Sequence, residues 1–246
     1  MSELTQALLI PDWPAPAAVR ACVTTRSGGV SLPPYESFNL GDHVGDAPAA
    51  VAENRRRLTA AFGIQPAWLK QVHGVVVADA DPSVIAEADA SYSATPGIAC
   101  TVMTADCLPV LFCDRVGTRV AAAHAGWRGL ANGVLEATLD RLALAPEEVL
   151  VWLGPAIGPQ AFEVGLEVRD AFTAVHPQTA QAFVPGAQPG KLMADIYQLA
   201  RLRLAARGVK AVYGGGLCTV SDPRFYSYRR TPLGGRFASL VWLAPR

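Results

Sequence analysis

The sequence is short of charged residues, and their signs balance. Only 17% of its 246 residues are charged, with 21 Lys and Arg against 21 Asp and Glu. Soluble domains average roughly 25% charged residues, so a chain with 51% hydrophobic residues favours compact burial over disorder. No basic block occurs, and without that electrostatic footprint we expect no nucleic-acid partner.

Long apolar runs and a secretory leader are also absent. No stretch of about eighteen mostly apolar residues occurs, so we expect neither a membrane span nor a membrane partner. The first residues lack the basic and apolar segments of a signal peptide, which predicts a cytoplasmic protein. The odd number of cysteines agrees, because Cys22, Cys100, Cys113 and Cys218 lie in the apolar or small-residue surroundings typical of reduced thiols.

Runs of short apolar strands, interrupted by helices, organise the chain. Strands are predicted at 19–24, 98–104, 109–114, 119–124, 149–154 and 238–243. Helices are predicted at 130–142, 166–175 and 192–206, with an earlier one that Asp46 caps and that ends at Phe62. Because strands come in runs rather than one per helix, the pattern favours α+β layers with a mixed sheet. The length fits a single domain over residues 1–246.

Three residues in separate, unusual contexts suggest a metal site. His73 precedes Gly74, Cys107 follows Asp106, and His124 begins the segment His124–Gly129. Two imidazoles and a thiolate suit zinc, and three protein ligands leave a fourth position open for water or substrate. The ligands are 34 and 17 positions apart, so tertiary folding must gather them. The alternative is that they are an ordinary buried cysteine and core histidines.

The predicted strands place this triad at one edge of a sheet. Cys107 falls in a turn between two strands, His124 at the end of the next strand, and His73 just before a run of valines. Side chains at strand ends converge on one edge of a sheet, where a rigid scaffold usually holds functional residues. We therefore expect the three side chains to meet.

Two glycine-containing loops are candidate anion sites. In the loop 25–31, Gly28 and Gly29 permit close backbone approach, and Arg26 could clamp an oxyanion with two hydrogen bonds. The alternative interpretation of this loop is a hairpin turn whose arginine is exposed to solvent. After His124, glycines allow a tight turn into a helix whose first N–H groups face an anion, and Arg128 would add positive charge.

A series of motifs in a fixed order resembles the YfiH, or bacterial laccase-domain, family. The motifs cover nearly the whole chain: Arg26–Ser31, Ser37–Gly41, Val44–Asp46, Gln71–Gly74, Ala105–Cys107, His124–Gly129, Gly154–Gly158 and Phe162–Gly165. After Phe225–Arg230 the family usually continues with an acidic residue, whereas this chain has Thr231. That departure weakens a role for Arg229 and Arg230.

The resemblance implies a fold, a metal and an activity. It implies zinc held by His73, Cys107 and His124, in an α-β-β-α layered sandwich related to cysteine hydrolases of the deamidating toxin type. It implies a purine nucleoside phosphorylase acting on adenosine, inosine, guanosine and methylthioadenosine, with adenosine deaminase activity at the same site. Older descriptions call such proteins polyphenol oxidases, and one branch is linked to editing of peptidoglycan precursors.

Histidine content tests the oxidase description. A multicopper oxidase needs about ten histidines, largely in His-x-His pairs, to hold its copper centres. This chain has four, none of them paired. Zn²⁺ is therefore the expected cofactor, and copper, with weak oxidation at the triad, is the less favoured alternative.

The expected mechanism assigns a role to each candidate residue. Zinc at the triad activates water or polarises a substrate group. Arg26, and after it Arg128, orients inorganic phosphate for attack on the ribose of a purine nucleoside. Asp106 either orients a ligating histidine or acts as general acid/base, and Asn39 reads a purine edge. We expect a monomer or small homo-oligomer.

Two rival functions come from other classes. Cys107 and His124 could form a thiolate–imidazolium pair in a hydrolase of amide bonds or peptidoglycan precursors. A zinc-stabilised interaction module is the non-enzymatic rival, but structural zinc is nearly always bound by four protein ligands. No fourth ligand is evident, since His43 and His176 are isolated in the sequence.

Overall fold

The computed structural model of the chain describes residues 8–245, which form an α+β structure with mixed sheets. The strands are β1 (Val19–Val23), β2 (Gln65–Ala67), β3 (Leu69–Lys70), β4 (Val77–Asp79), β5 (Ala86–Glu87), β6 (Ala90–Ser93), β7 (Ile98–Thr104), β8 (Leu108–Asp114), β9 (Val120–Ala125), β10 (Val149–Leu153), β11 (Glu163–Gly165), β12 (Phe183–Pro185), β13 (Lys191–Ala194), β14 (Val212–Gly214) and β15 (Phe237–Leu243). The α-helices are α1 (Pro48–Phe62), α2 (Trp127–Asn132), α3 (Val134–Leu142), α4 (Leu166–Thr173) and α5 (Ile196–Ala206).

Two larger sheets dominate. One has six strands in the order β14-β10-β8-β9-β6-β4, and the other has four in the order β1-β15-β7-β2. Parallel pairs, such as β10 with β14 and β2 with β7, occur beside antiparallel ones, so both sheets are mixed. Every residue of β8, β9 and β10 is buried, because both faces of the six-stranded sheet are covered.

Alternating side chains divide the core into layers. In β8, Val110 and Phe112 pack with the helices α3 and α5, whereas Leu111 and Cys113 face the four-stranded sheet. On the outer face of that second sheet, Leu58 of α1 packs with residues of β7 and β15. The layer order is therefore helix, sheet, sheet, helix, as the resemblance implied.

The predicted strands agree with the structure to within one residue at each end, but three helix predictions need correction. The helix predicted at 130–142 is two helices, because Gly133 has φ of 103° and interrupts it. The helix predicted at 192–206 starts later: residues up to Ala194 pair in β13, and Asp195 caps α5. Asp46 does not cap α1, since Ala47 holds that position and no side-chain cap forms.

None of the helices within residues 8–245 combines the length and the apolar character needed to cross a bilayer.

Candidate metal centre and active site

The fold brings the predicted metal ligands together. His73 follows β3, Cys107 lies in the turn between β7 and β8, and His124 is the penultimate residue of β9. The antiparallel register pairs Pro109 with His124, which sets the turn carrying Cys107 beside the end of β9. The three donor atoms lie within 4.8 Å of one another, and Cys107 Sγ is 3.9 Å from His73 Nε2. The expectation that the side chains meet is confirmed.

Asp89, which the sequence analysis did not identify, supports two of the three triad residues through hydrogen bonds. The residue is fully buried between β5 and β6. Its carboxylate accepts hydrogen bonds from the backbone N–H groups of Val72 (3.2 Å), His73 (2.9 Å) and Gly74 (2.6 Å). It also lies 2.8 Å from Nδ1 of His124, an arrangement that leaves Nε2 free to bind a metal. The sequence signal that could have identified it is an aspartate between two alanines, Ala88 and Ala90, at the start of a strand.

Backbone conformations at the site are uncommon for residues with side chains. His73 has φ of 61° and Asp106 has φ of 90°, both in the left-handed region. Such residues each cost on the order of 1–3 kcal/mol and are concentrated at functional sites. Gly126 shows how tightly the cluster is packed, since a Cβ there would stand 2.9 Å from His73 Cδ2 and 3.0 Å from Cys107 Sγ. The glycine keeps that space clear.

Charges at the site favour a thiolate beside an imidazolium when no metal is bound. Burial raises the pKa of the Cys107 thiol, but the charge of His124 and hydrogen bonds with both histidines outweigh it and lower the pKa to about 6. Burial lowers the pKa of His124, whereas Cys107 and Asp89 together raise that pKa to about 9. A thiolate is the form of cysteine that binds metals and acts as a nucleophile.

Asp106 is close to the triad, and each of its carboxylate oxygens accepts a hydrogen bond from another segment. One carboxylate oxygen accepts the Thr219 hydroxyl at 2.6 Å and the other accepts the backbone N–H of Arg229 at 2.6 Å. Its backbone oxygen accepts the N–H of Ile157 at 2.9 Å. Asp106 therefore ties three loops to the turn that carries Cys107.

The triad opens into a cavity of about 420 Å³, a volume that suits a small organic ligand. Gln71 holds the cavity edge, because its side-chain amide pairs with both backbone groups of Met103 at 2.8 Å. The cavity is lined by His43, Gln71, His73, Met103, Thr104, Ala105, Asp106, Cys107, His124, Trp127, Ile157, Phe162, Ile196, Tyr228, Arg229 and Arg236. Aromatic rings and two arginines thus share a wall with the metal ligands.

Arg26 and its neighbouring glycines do not line this cavity. The Arg26 guanidinium pairs with Glu36 at 3.1 Å and lies over the ring of Tyr226. A Cβ at Gly29 would stand 2.1 Å from the backbone oxygen of Ser37, so this glycine is required by packing, and Gly28 takes a φ of 97°. Phosphate binding by this loop stays a prediction, without support from its hydrogen bonds.

Asn39 and Arg128 also lie outside the cavity lining. Asn39 is fully buried, and its amide is used by Gly41, Asp46 and the backbone N–H of Arg236. Its side-chain donors and acceptor are thus used within the protein, and the contact with a purine edge stays a prediction. Arg128 is exposed and lies 4.4 Å from the centroid of the Trp127 ring, and its phosphate contact stays a prediction.

The donor set fits a metal ion. Donors around a tetrahedral zinc stand about 3.5 Å apart. The triad donors lie within 4.8 Å of one another, so small side-chain rotations would bring them to a common ion. Within residues 8–245 no other group of three His, Cys, Asp or Glu side chains brings its donor atoms together in this way. Three ligands with room for a fourth are typical of catalytic rather than structural sites. Fold and site define an α+β protein with a cavity beside a His–Cys–His group that could hold a metal ion.

The chain belongs to the family described as multi-copper polyphenol oxidoreductase laccase, whose model matches residues 20–244. A purine nucleoside phosphorylase of Pseudomonas aeruginosa is 71% identical over 238 residues, covering 96% of this chain and 98% of that protein. The purine nucleoside phosphorylase YfiH of Escherichia coli is 58% identical over 241 residues, covering 96% and 98%. The predicted membership of the YfiH family is confirmed.

Solved structures share the fold. A Neisseria meningitidis protein matches with a TM-score of 0.94 at 53% identity, covering 97% of this chain and 100% of that one. The protein YlmD of Geobacillus stearothermophilus matches with a TM-score of 0.86 at 31% identity, covering 93% of each chain. The mixed α+β architecture is therefore that of the family.

Proposed function

We propose that this chain is a zinc-dependent purine nucleoside phosphorylase. Its substrates would be inorganic phosphate and adenosine, inosine, guanosine or methylthioadenosine, and adenosine would also be deaminated at the same site. The observation that carries the proposal is the cavity, which joins a metal-binding triad to aromatic and cationic walls. Relatives named purine nucleoside phosphorylase, at 71% and 58% identity, support it.

Aromatic side chains in the cavity suit a purine. Trp127, Phe162 and Tyr228 all line it, and Tyr228 is 55% exposed, so its ring is accessible to a ligand. Stacking of a base on an aromatic ring contributes on the order of 1–3 kcal/mol. These rings supply the surface that a planar base requires.

Phosphorolysis sets three requirements for the protein. A phosphate oxygen bonds to the anomeric carbon of the ribose while the bond from that carbon to the purine nitrogen breaks. The electron pair leaves with the purine, which then takes up a proton. The site must therefore bind an anion, hold the ribose in line and supply a proton near the base.

Residues around the triad would hold this geometry. His73, Cys107 and His124 would hold the metal, which when bound polarises a substrate group or lowers the pKa of bound water. Asp89 fixes the orientation of His124. Asp106 acts as a positioning residue in this proposal, because both of its oxygens already accept hydrogen bonds. In this proposal, solvent or a side chain of the cavity wall donates the proton to the departing purine.

Zinc is the proposed metal although the family description names copper. A site of two imidazoles and one thiolate suits zinc, and four histidines are too few for the centres of a multicopper oxidase. We also propose a cytoplasmic location, because all five cysteines are unpaired. A single domain is supported by the pairing of β1 with β15 from opposite ends of the chain, and the state would be a monomer or small homo-oligomer.

A cysteine hydrolase is the second candidate. The pKa of Cys107, lowered to about 6, and the neighbouring imidazolium favour it, because a nucleophilic thiolate needs this environment. Its substrates would be amide bonds or peptidoglycan precursors, consistent with the proposed relation to cysteine hydrolases. Such an enzyme would work without metal.

Product analysis of the purified protein separates these functions. Nucleosides are incubated with and without phosphate, and products are read by mass spectrometry. Free purine with ribose 1-phosphate indicates phosphorolysis, ammonia with inosine indicates deamination, and products from amide substrates in the metal-free protein indicate a hydrolase. Cys107→Ala should abolish the first two activities, with Cys113→Ala, in β8 but outside the cavity, as the matched control. Absence of nucleoside turnover in zinc-loaded wild type would contradict the proposal.

A further inference from the structure

Arg236 is a half-buried arginine in the cavity wall that has no acidic partner. Its Nη1 donates to the backbone oxygens of Gly234 (3.1 Å) and Gly235 (3.0 Å). Within residues 8–245, Nε and Nη2 have no hydrogen-bond acceptor and no carboxylate lies within 4.0 Å of the guanidinium. The side chain thus presents a positive charge with unused donors at the cavity.

Two other basic residues of the cavity wall, Arg229 and His43, have partners within the protein. The Arg229 guanidinium donates to the backbone oxygens of Ala161 (3.1 Å) and Glu163 (3.2 Å). His43 lies 3.6 Å from Asp42, and nearby Arg236 helps to lower its pKa after the larger effect of burial. Arg229 and Arg236 each use two of about five N–H donors. Arg229 is exposed, whereas the half-buried Arg236 keeps both Nε and Nη2 unused, and this edge of the guanidinium can donate to two oxygens of one anion.

A motif far away in the sequence holds Arg236 in place. The Asn39 side-chain oxygen accepts the backbone N–H of Arg236 at 2.8 Å and that of Gly41 at 2.9 Å. A Cβ at Gly41 would stand 2.9 Å from Cγ of Arg236, so the glycine makes room for the side chain. Asn39 and Gly41 of the segment Ser37–Gly41 thus fix the backbone and the side-chain stem of Arg236.

Charge makes the site selective for an anion. A guanidinium stays protonated in proteins, and a cation partly removed from water requires an opposite charge. Burial lowers the pKa of Arg236, and the negative charges of Cys107 and Asp106 oppose that effect, which places the guanidinium within electrostatic reach of the triad. An oxyanion between Arg236 and the triad would accept the hydrogen bonds that Nε and Nη2 leave unused.

We propose that Arg236 binds the inorganic phosphate in this cavity, with Asn39 and Gly41 as its positioning residues. The identity of the anion as a substrate rests on the proposed function. The planar fork of arginine matches two phosphate oxygens, which a lysine cannot reproduce. Arg236 thereby takes the role that the sequence analysis gave to Arg26.

Calorimetric titration of inorganic phosphate into the zinc-loaded protein tests this assignment. Arg236→Met keeps the unbranched apolar stem and removes the guanidinium, so it should weaken phosphate binding roughly a hundredfold or more, the loss expected for two charged hydrogen bonds. Arg236→Lys should remain at least about tenfold weaker than wild type. Arg201→Met, whose arginine bonds two backbone oxygens outside the cavity, is the matched control and should bind phosphate as wild type does.

Zinc content and thermal unfolding are measured on every variant. If Arg236→Met loses zinc or fails to fold, Arg236→Lys decides the question. Wild-type phosphate affinity in a folded, zinc-loaded Arg236 variant would overturn the assignment, as would a loss seen in Arg26→Met instead.

The two proposals fail in distinguishable ways. Phosphate binding that depends on Arg236, without cleavage of any nucleoside, would reject the phosphorylase and keep the anion site. Phosphorolysis with an unchanged phosphate KM in Arg236→Met would keep the phosphorylase and reject the role of Arg236.

Discussion

Replacing Asp89 with asparagine should weaken zinc binding and lower the stability of the fold. The carboxylate accepts three backbone N–H groups from residues 72–74 and faces Nδ1 of His124. The asparagine side chain has nearly the same shape as the aspartate but only one acceptor oxygen. If that oxygen keeps His73 and His124, the new NH₂ group faces the N–H groups of Val72 and Gly74.

The cost follows from the two N–H donors that lose their acceptor. A buried donor left without an acceptor costs about 1–3 kcal/mol, so the free energy of unfolding should fall by roughly 2–6 kcal/mol. Partners that orient a metal ligand usually change metal affinity by about 10–100-fold when they are mutated. Asp89→Asn should therefore bind zinc at least about tenfold more weakly, because His73 and His124 lose their common support.

Competition with a chromophoric chelator measures the zinc affinity, and chemical denaturation of the metal-free protein measures stability. Asp114→Asn is the matched control: Asp114 is also buried and accepts hydrogen bonds from Thr118 and Arg119, but it lies at the other end of β8. It should lose stability and keep zinc affinity. Wild-type zinc affinity in folded Asp89→Asn would refute the reasoning.

The pH dependence of stability gives a second readout for Asp89. Burial raises the pKa of its carboxyl, but hydrogen bonds from His124 and from the backbone N–H of Gly74 lower it below the ordinary 3.8. A carboxyl with a depressed pKa stabilises the fold fully above its unfolded pKa and loses that contribution as pH falls through the folded value. The stability gap between wild type and Asp89→Asn should therefore narrow below about pH 4.

Two further predictions concern the triad itself. In metal-free protein, iodoacetamide should alkylate Cys107 at half its maximal rate near pH 6, because its pKa is lowered to about 6, whereas bound zinc should protect the thiol. The buried Cys22 and Cys100, with pKa values raised to about 12, should stay unmodified, and a Cys107 profile centred near the ordinary 9.0 would contradict the charge arrangement. Gly126→Ala should lower zinc affinity by roughly tenfold or more, because its Cβ would meet His73 Cδ2 at 2.9 Å and Cys107 Sγ at 3.0 Å. Gly63→Ala is its comparison, because φ of 63° makes alanine destabilising there although the Cβ has open space and lies away from the site. Equal zinc affinities in the two variants would count against crowding at the site.

Local sequence signals were strong where one element carries its own pattern. The strands β7, β8, β9, β10 and β15 follow from short apolar runs between turn residues, because a strand buried on both faces needs apolar side chains at every position. The triad could be predicted for a related reason. Each ligand lies at a strand end or turn, which is visible locally, and its side-chain chemistry alone suggests a metal.

Helix boundaries could not be predicted from the local apolar pattern. Apolar spacing continues smoothly through residues 130–142, yet Gly133 ends one helix and starts another. Residues near 192 have helical periodicity but pair with β11 and β12, because a neighbouring strand edge offers backbone hydrogen bonds that the sequence does not reveal.

By itself the sequence determined six of the fifteen strands within residues 8–245, the mixed α+β class, the family and the His–Cys–His group that could hold a metal ion, since these depend on local pattern and on the chemistry of single residues. Only the tertiary structure decided which polar groups support them. Asp89 serves the triad because the loop before β4 folds onto it, and Asn39 holds Arg236 across a separation of 197 positions. Such pairings arise from the packing of distant segments, whose contacts leave no periodic or compositional mark on either segment.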